Sequence, residues 1–185
     1  MTWSRLPAQS TADEWYAMGK NLFSKSLFAQ AASCFEKANR QNDHNIARAY
    51  QKRKEAKAIS RADARKIAFR SAAFAFESCA TVTSKGTPTL RRRAAECFVY
   101  SEDFSSAATN FELAHDYTDA AIHYHKAHLL KDVVRLVRPP DGSNSLVEED
   151  IRGRLLDNIR IQYLRVHDFE YVLKFVTRRF KSTNP

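Results

Sequence analysis

Glycine and proline are scarce in this chain, four and five residues out of 185. That scarcity argues against a turn-rich β fold and favours long helices. Cysteine is also rare. Three residues, an odd number with no CxxC spacing, make neither a disulfide framework nor a zinc site. Cys34 and Cys79 lie in or beside apolar stripes and Cys97 lies next to one, so all three are expected to be buried, reduced thiols. No apolar run approaches the roughly 20 residues that cross a bilayer. The opening MTWSRLPAQS has no apolar h-region, so no secretory signal is read there. The expected setting is intracellular, cytoplasmic or nuclear, with no membrane contact. GxxxxGK[ST], GxGxxG, GxSxG and HExxH are all missing. The expectation is a chain that is not an enzyme and carries no cofactor.

What the chain does have is a repeated stripe. Within WYAMGKNLFSKSLFAQAASCFEKA, Trp15, Met18, Gly19 and Leu22 form one stripe, and Phe28, Ala31, Ala32, Phe35 and Ala38 form the next, 13 residues later. Both follow the i, i+3, i+4, i+7 spacing of one helix face. Ser24-Lys25-Ser26 leaves room only for a tight turn, so the two helices fold back antiparallel. The small residues Gly19 and Ala31 allow close axes.

Trp15, Met18, Gly19, Leu22, Ala31, Phe35 and Ala38 resemble the tetratricopeptide (TPR) signature, with Asp43 standing where that family has its last proline. More loosely, residues 12 to 128 resemble the helical-repeat region of very large UvrD-like superfamily 1 helicases of the TPR- and ankyrin-repeat type. The resemblance implies one non-catalytic segment of such a protein, with any ATPase site elsewhere.

Along the chain, Thr11 and Glu14 predict a capping box at the first helix. Asp43 to Thr83 has no glycine or proline and reads as one long helix, or two broken near Ser60. Phe69, Ala72, Ala73, Phe76 and Cys79 repeat the stripe there. After a turn to Gly86, Thr87-Pro88 predicts a cap and a first-turn proline. Stripes then recur every 13 residues, in Arg91-Ala94-Ala95-Phe98, Phe104-Ala107-Ala108-Phe111-Ala114 and Tyr117-Ala120-Ala121-Tyr124-Ala127. A TPR would alternate steps of about 13 and 21, so this array is tighter. Residues 139–144, PPDGSN, form the strongest break. Ser145 and Glu148 then predict a capping box for a helix from Leu146 to Val166, with Ile151, Leu155, Ile159 and Val166 inward, and a last helix runs from Phe169 to Phe180.

The fold expected is all-α, a right-handed, TPR-like helical-hairpin solenoid of about eight or nine helices. Its parts are a flexible lead-in (1–10), a repeat domain (11–138), a loop (139–144), a helical pair that caps or extends the array (145–181) and a tail (182–185). The favoured role is a protein-interaction scaffold that holds a peptide or partner helix in its concave groove. In a TPR the first helix of a pair lines that groove, so the resemblance puts Tyr16, Lys20 and Phe23 there. The alternative starts from the net charge of +9. Lys54, Lys57, Arg61 and Arg65 make a basic stripe at 3, 4, 4 spacing, extended by Arg91, Arg92 and Arg93, for sequence-independent nucleic-acid binding. Only Tyr50 accompanies that stripe as an aromatic, so no stacking platform is read there. His115, His123, His125 and His128 cluster in sequence, but without a Cys or carboxylate to complete a tetrahedral set no metal site is read.

Overall fold

The computed structural model describes residues 10–82, 86–138 and 145–165. Among these the chain is all-α, with nine helices and no strand. They are α1 (Ala12–Ser24), α2 (Phe28–Lys37), α3 (Gln41–Ala58), α4 (Ala62–Val82), α5 (Thr87–Tyr100), α6 (Phe104–Leu113), α7 (Tyr117–Lys126), α8 (Leu130–Val137) and α9 (Glu149–Arg165). The chain divides into two compact units, Met1–Asp116 and Tyr117–Pro185. In the first, each helix from α1 to α6 packs mainly on the next in sequence.

The local signals explain most boundaries. Thr11 and Glu14 make the reciprocal capping box at α1: Glu14 Oε2 accepts from the Thr11 backbone N–H at 2.8 Å, and Thr11 Oγ1 accepts from the Glu14 N–H at 3.3 Å. The basic run is two helices, parted at Ile59-Ser60-Arg61, where Ile59 is extended. Two expected caps are corrected. Thr87 lies inside α5, and the N-cap is Gly86 with φ of 80°. Only glycine adopts that left-handed backbone without strain, which outcompetes the Thr87 hydroxyl as the helix start. At α9, Ser145 Oγ accepts from the Val147 N–H, while the Glu148 N–H donates to Thr118 Oγ1 of α7. The serine closes its own short turn, the helix begins at Glu149, and no capping box forms. Val166 and the stretch from Phe169 to Phe180 lie outside the described residues.

The 13-residue period has a specific backbone cause. Five turns carry a non-glycine residue with positive φ: Ser26, Asn39, Glu102, His115 and His128. At each, two hydrogen bonds close the preceding helix. The left-handed residue's N–H donates three residues back, as from Asn39 to the Glu36 carbonyl (2.9 Å), and the next N–H donates five back, as from Arg40 to the Phe35 carbonyl (2.8 Å). This is a Schellman closure. The long bond always ends on the last bulky residue of a stripe, which is Leu22, Phe35, Phe98, Phe111 or Tyr124. A ten-residue helix such as α2, α6 or α7 plus a three-residue turn then gives the repeat length.

Packing follows the stripes. Phe35, Phe69, Phe76, Phe98 and Phe111 are all buried, as are the alanine pairs 31/32, 72/73, 94/95 and 107/108. Gly19 is the point of closest approach in the first hairpin, since a Cβ there would lie 2.6 Å from the Phe35 ring. In the second unit α9 packs on α7 and α8, and Leu155 and Ile159 are buried together with Val133, Leu136, Val137 and Val147.

Two pairs of variants test this packing. Gly19→Ala gains helix propensity of about 1 kcal/mol but overpacks against Phe35, for a net destabilisation on the order of 1 kcal/mol in denaturant unfolding. The loss should shrink in a Phe35→Leu background, and equal losses in both backgrounds would contradict the contact. Ser26→Gly relieves a left-handed residue and should stabilise by up to about 1 kcal/mol, whereas Ser26→Val should destabilise. Matching melting temperatures for the two variants would contradict the turn geometry.

Candidate functional site

Several of the basic residues are already engaged. Arg53 on α3 donates to Glu96 on α5 at 2.7 Å, and Arg93 reaches both Glu96 oxygens at 2.9 Å. Lys66 pairs with Glu102 at 2.6 Å and Arg70 with Asp103 at 2.8 Å, tying α4 to the α5–α6 turn. Burial tends to raise the Asp103 carboxyl, but hydrogen bonds from the Ser106 backbone and Arg70 hold it below the usual range. Arg91 donates to Asn110 Oδ1 at 3.2 Å, and Asn110 in turn donates to Glu77 at 2.7 Å, so the buried Asn110 is satisfied between α4, α5 and α6. Arg92 is bidentate to Asp116.

Arg91, Arg92 and Arg93, the expected extension of the basic stripe, are each held by an acidic partner on their own unit, Glu77, Asp116 and Glu96. The single continuous stripe is corrected. Lys54 and Lys57 are on α3, Arg61 is in the turn and Arg65 is on α4, and the break at Ile59 folds α4 back along α3. All four still lack a carboxylate partner among the described residues, although Lys54 Nζ donates to the Ser26 carbonyl at 3.0 Å.

Of the groove residues, Phe23 packs edge-on against Phe28 and Tyr50 at 5.1 Å, so its ring belongs to the interior of the α1–α3 stack. Tyr16 packs on Phe35, while Lys20 and Arg40 lie over its ring at 4.7 and 5.0 Å. The structure thus brings Tyr16 and Lys20 together with Arg40, and Tyr16 and Phe23 both pack on the core around Ala31, Ala32, Phe35 and Ala47.

Two hollows appear between the helices. The first, about 450 Å³, is a trough between the first half of α3 and the second half of α4. Gln41, Asn45, Arg48 and Lys52 form one wall, and Ala75, Ser78 and Val82 the other. Elsewhere α4 exposes Ile67 (72%), and Phe74 (53%) packs edge-on against Phe98 of α5 at 5.4 Å, whereas Val82 (67%) lies in the trough wall itself. Arg48 and Lys52 have no ion pair among the described residues. The second hollow, about 390 Å³, lies at the other end of the same helix pair, bounded by Lys57, Arg65, Lys66, Phe69, Tyr100 and Glu102. Sequence reasoning missed Tyr100 because it is 35 residues from Arg65 in the chain. Its position at the end of a stripe-bearing helix was the available signal.

The histidines do not converge. His115 and His128 occupy left-handed turns. His123 is buried with Nδ1 2.8 Å from the Asp119 carbonyl, and burial lowers its pKa, as it does that of His125. Among the described residues no three His, Cys, Asp or Glu side chains are placed to hold a metal ion. The three thiols are buried and unpaired, with Cys97 pushed up to about 11 by burial, so they are poor nucleophiles. No described helix is long and apolar enough to cross a membrane.

The Glu96 cluster predicts an asymmetry. Glu96→Ala strands two partly buried guanidiniums and should cost about 1 to 3 kcal/mol, whereas Arg93→Ala leaves the Arg53 pair intact and should cost less. Urea unfolding of the two variants distinguishes them, and equal losses would contradict the network. In comparisons with known proteins, no family model, curated protein or solved structure matches this chain.

Proposed function

We propose that this chain is a non-catalytic interaction module that takes an acidic, amphipathic helix of a protein partner in the α3–α4 trough. The reading is carried by the two unlike walls of that trough. Arg48 and Lys52 offer cations without carboxylate partners, while Ala75, Cys79 and the exposed Val82 offer an apolar wall. A partner helix with an apolar stripe flanked by Asp or Glu satisfies both at once. Tyr16, Lys20 and Arg40 supply a second point of contact in this reading. In the same reading the helices form a right-handed, TPR-like array, a segment of a larger intracellular, helicase-type protein. The helix-on-next-helix packing of α1 to α6 is compatible with such an array.

A labelled helical peptide with a leucine stripe and flanking glutamates should bind the full chain, and its lysine-flanked counterpart should not. Arg48→Glu with Lys52→Glu should weaken the acidic peptide tenfold or more in fluorescence anisotropy. Equal binding of both peptides, or an unaffected double variant, would sink the proposal.

A second reading, accessory nucleic-acid binding, is favoured by one observation. Lys54, Lys57, Arg61 and Arg65 keep their charge unneutralised although Arg53, Lys66 and Arg70, close to them in the chain, are each paired with a carboxylate.

A further inference from the structure

We infer that the hollow at the α3–α4 turn is a stacking site for single-stranded nucleic acid, with Tyr100 as its platform. The inference rests on the second reading above and adds to it a base-binding element. Tyr100 stacks on the buried Phe69, ring centroids 4.6 Å apart at 20°, and is 55% exposed. A ring braced on one face by a fixed phenylalanine and exposed at the wall of an open hollow is pre-set to receive a flat partner on the other. At about 390 Å³ the hollow is large enough for one nucleoside.

The charges around it favour a phosphate backbone over a neutral aromatic. Lys57 and Arg65 border the hollow without carboxylate partners among the described residues, while Lys66 neutralises the one acid there, Glu102. Arg61, in the turn between them in the chain, and Lys54, on the helix leading to it, carry the unneutralised charge beyond the hollow. One stacked base therefore has cations for the phosphates on either side, which suits a polymer better than a mononucleotide. In duplex DNA the base faces are covered by their neighbours, so the platform selects single strands. Nothing in the hollow is arranged to read base edges, and binding is sequence-tolerant.

The test is fluorescence anisotropy of the full chain with a labelled 12-nucleotide oligo(dT), its duplex, AMP and inorganic polyphosphate, at several salt concentrations. The single strand should bind most tightly. Tyr100→Ala should weaken it about tenfold or more, and Tyr100→Trp should restore binding. Lys57→Gln with Arg65→Gln should flatten the dependence of log affinity on log salt by about 0.7 for each phosphate no longer neutralised. This surface pair keeps the test independent of any loss of packing at Phe69. Oligo(dT) binding unchanged by Tyr100→Ala, or polyphosphate, duplex or AMP binding as tightly as the single strand, overturns the stacking site and leaves charge alone. No binding of any polynucleotide at low salt overturns the second reading as well. Arg48→Glu with Lys52→Glu, which tests the peptide trough, should leave Tyr100-dependent binding within about twofold, and its abolition would merge the two surfaces and overturn the site.

Discussion

The left-handed residue at each tight turn is the constraint from which the architecture follows. Within each unit, a helix that ends in a Schellman closure is followed by the next after only three residues, and the chain has little slack with which to separate them. Only small side chains then fit between the axes, which is why Ala31/Ala32, Ala94/Ala95 and Ala107/Ala108 recur at the crossing points and Gly19 faces Phe35. Each non-glycine left-handed residue costs about 1–2 kcal/mol. The bulky residue whose carbonyl receives the long bond offsets that cost, since burying a side chain such as Phe98 or Phe111 contributes about 1.5–3 kcal/mol.

The same close stacking decides which charges are spent. In the first unit several cations of α3 and α4 find acids that come later in the chain, at Glu96, Glu102 and Asp103. Stacking in chain order sets Arg53 against Glu96, Lys66 against Glu102 and Arg70 against Asp103. The surface charge therefore cannot be counted from the sequence. On α3, α4 and the turn between them, the cations left without a carboxylate partner among the described residues are Arg48 and Lys52 at one end of the pair and Lys54, Lys57, Arg61 and Arg65 toward the other.

Much of the fold was legible because helix faces are local. The stripes from Trp15 to Tyr124 and the break near Ser60 depend on residues within a few turns of one another, and the helices form where those stripes put them. The left-handed turns were not legible. Ser26, Glu102 and the histidines His115 and His128 do not announce positive φ as glycine would, and only the 13-residue step hinted that something held each turn to one length. Contacts between helices were less legible still. Nothing local tells Arg91 that Asn110 and Glu77 will meet it, or brings Tyr100 beside Arg65. The partners of the expected groove residues were hidden for the same reason: Phe23 has the right helical phase, but Tyr50, 27 positions later, packs on its ring.

Charge alone would make the two ends of the α3–α4 pair interchangeable, since each presents cations free of carboxylates. The apolar neighbours separate them. At the trough, Ala75, Cys79 and Val82 follow one another along a helix, a linear surface that matches another helix and offers no flat ring to a base. At the turn, a single tyrosine is fixed face-on by Phe69, a surface one ring wide that an aliphatic stripe would leave mostly uncovered. Added salt weakens the charge contribution at both ends alike, whereas aliphatic burial and ring stacking persist in it. The selectivity of each surface thus lies in the shape of its apolar part, and the cations set how strongly, and at what ionic strength, a partner of that shape is held.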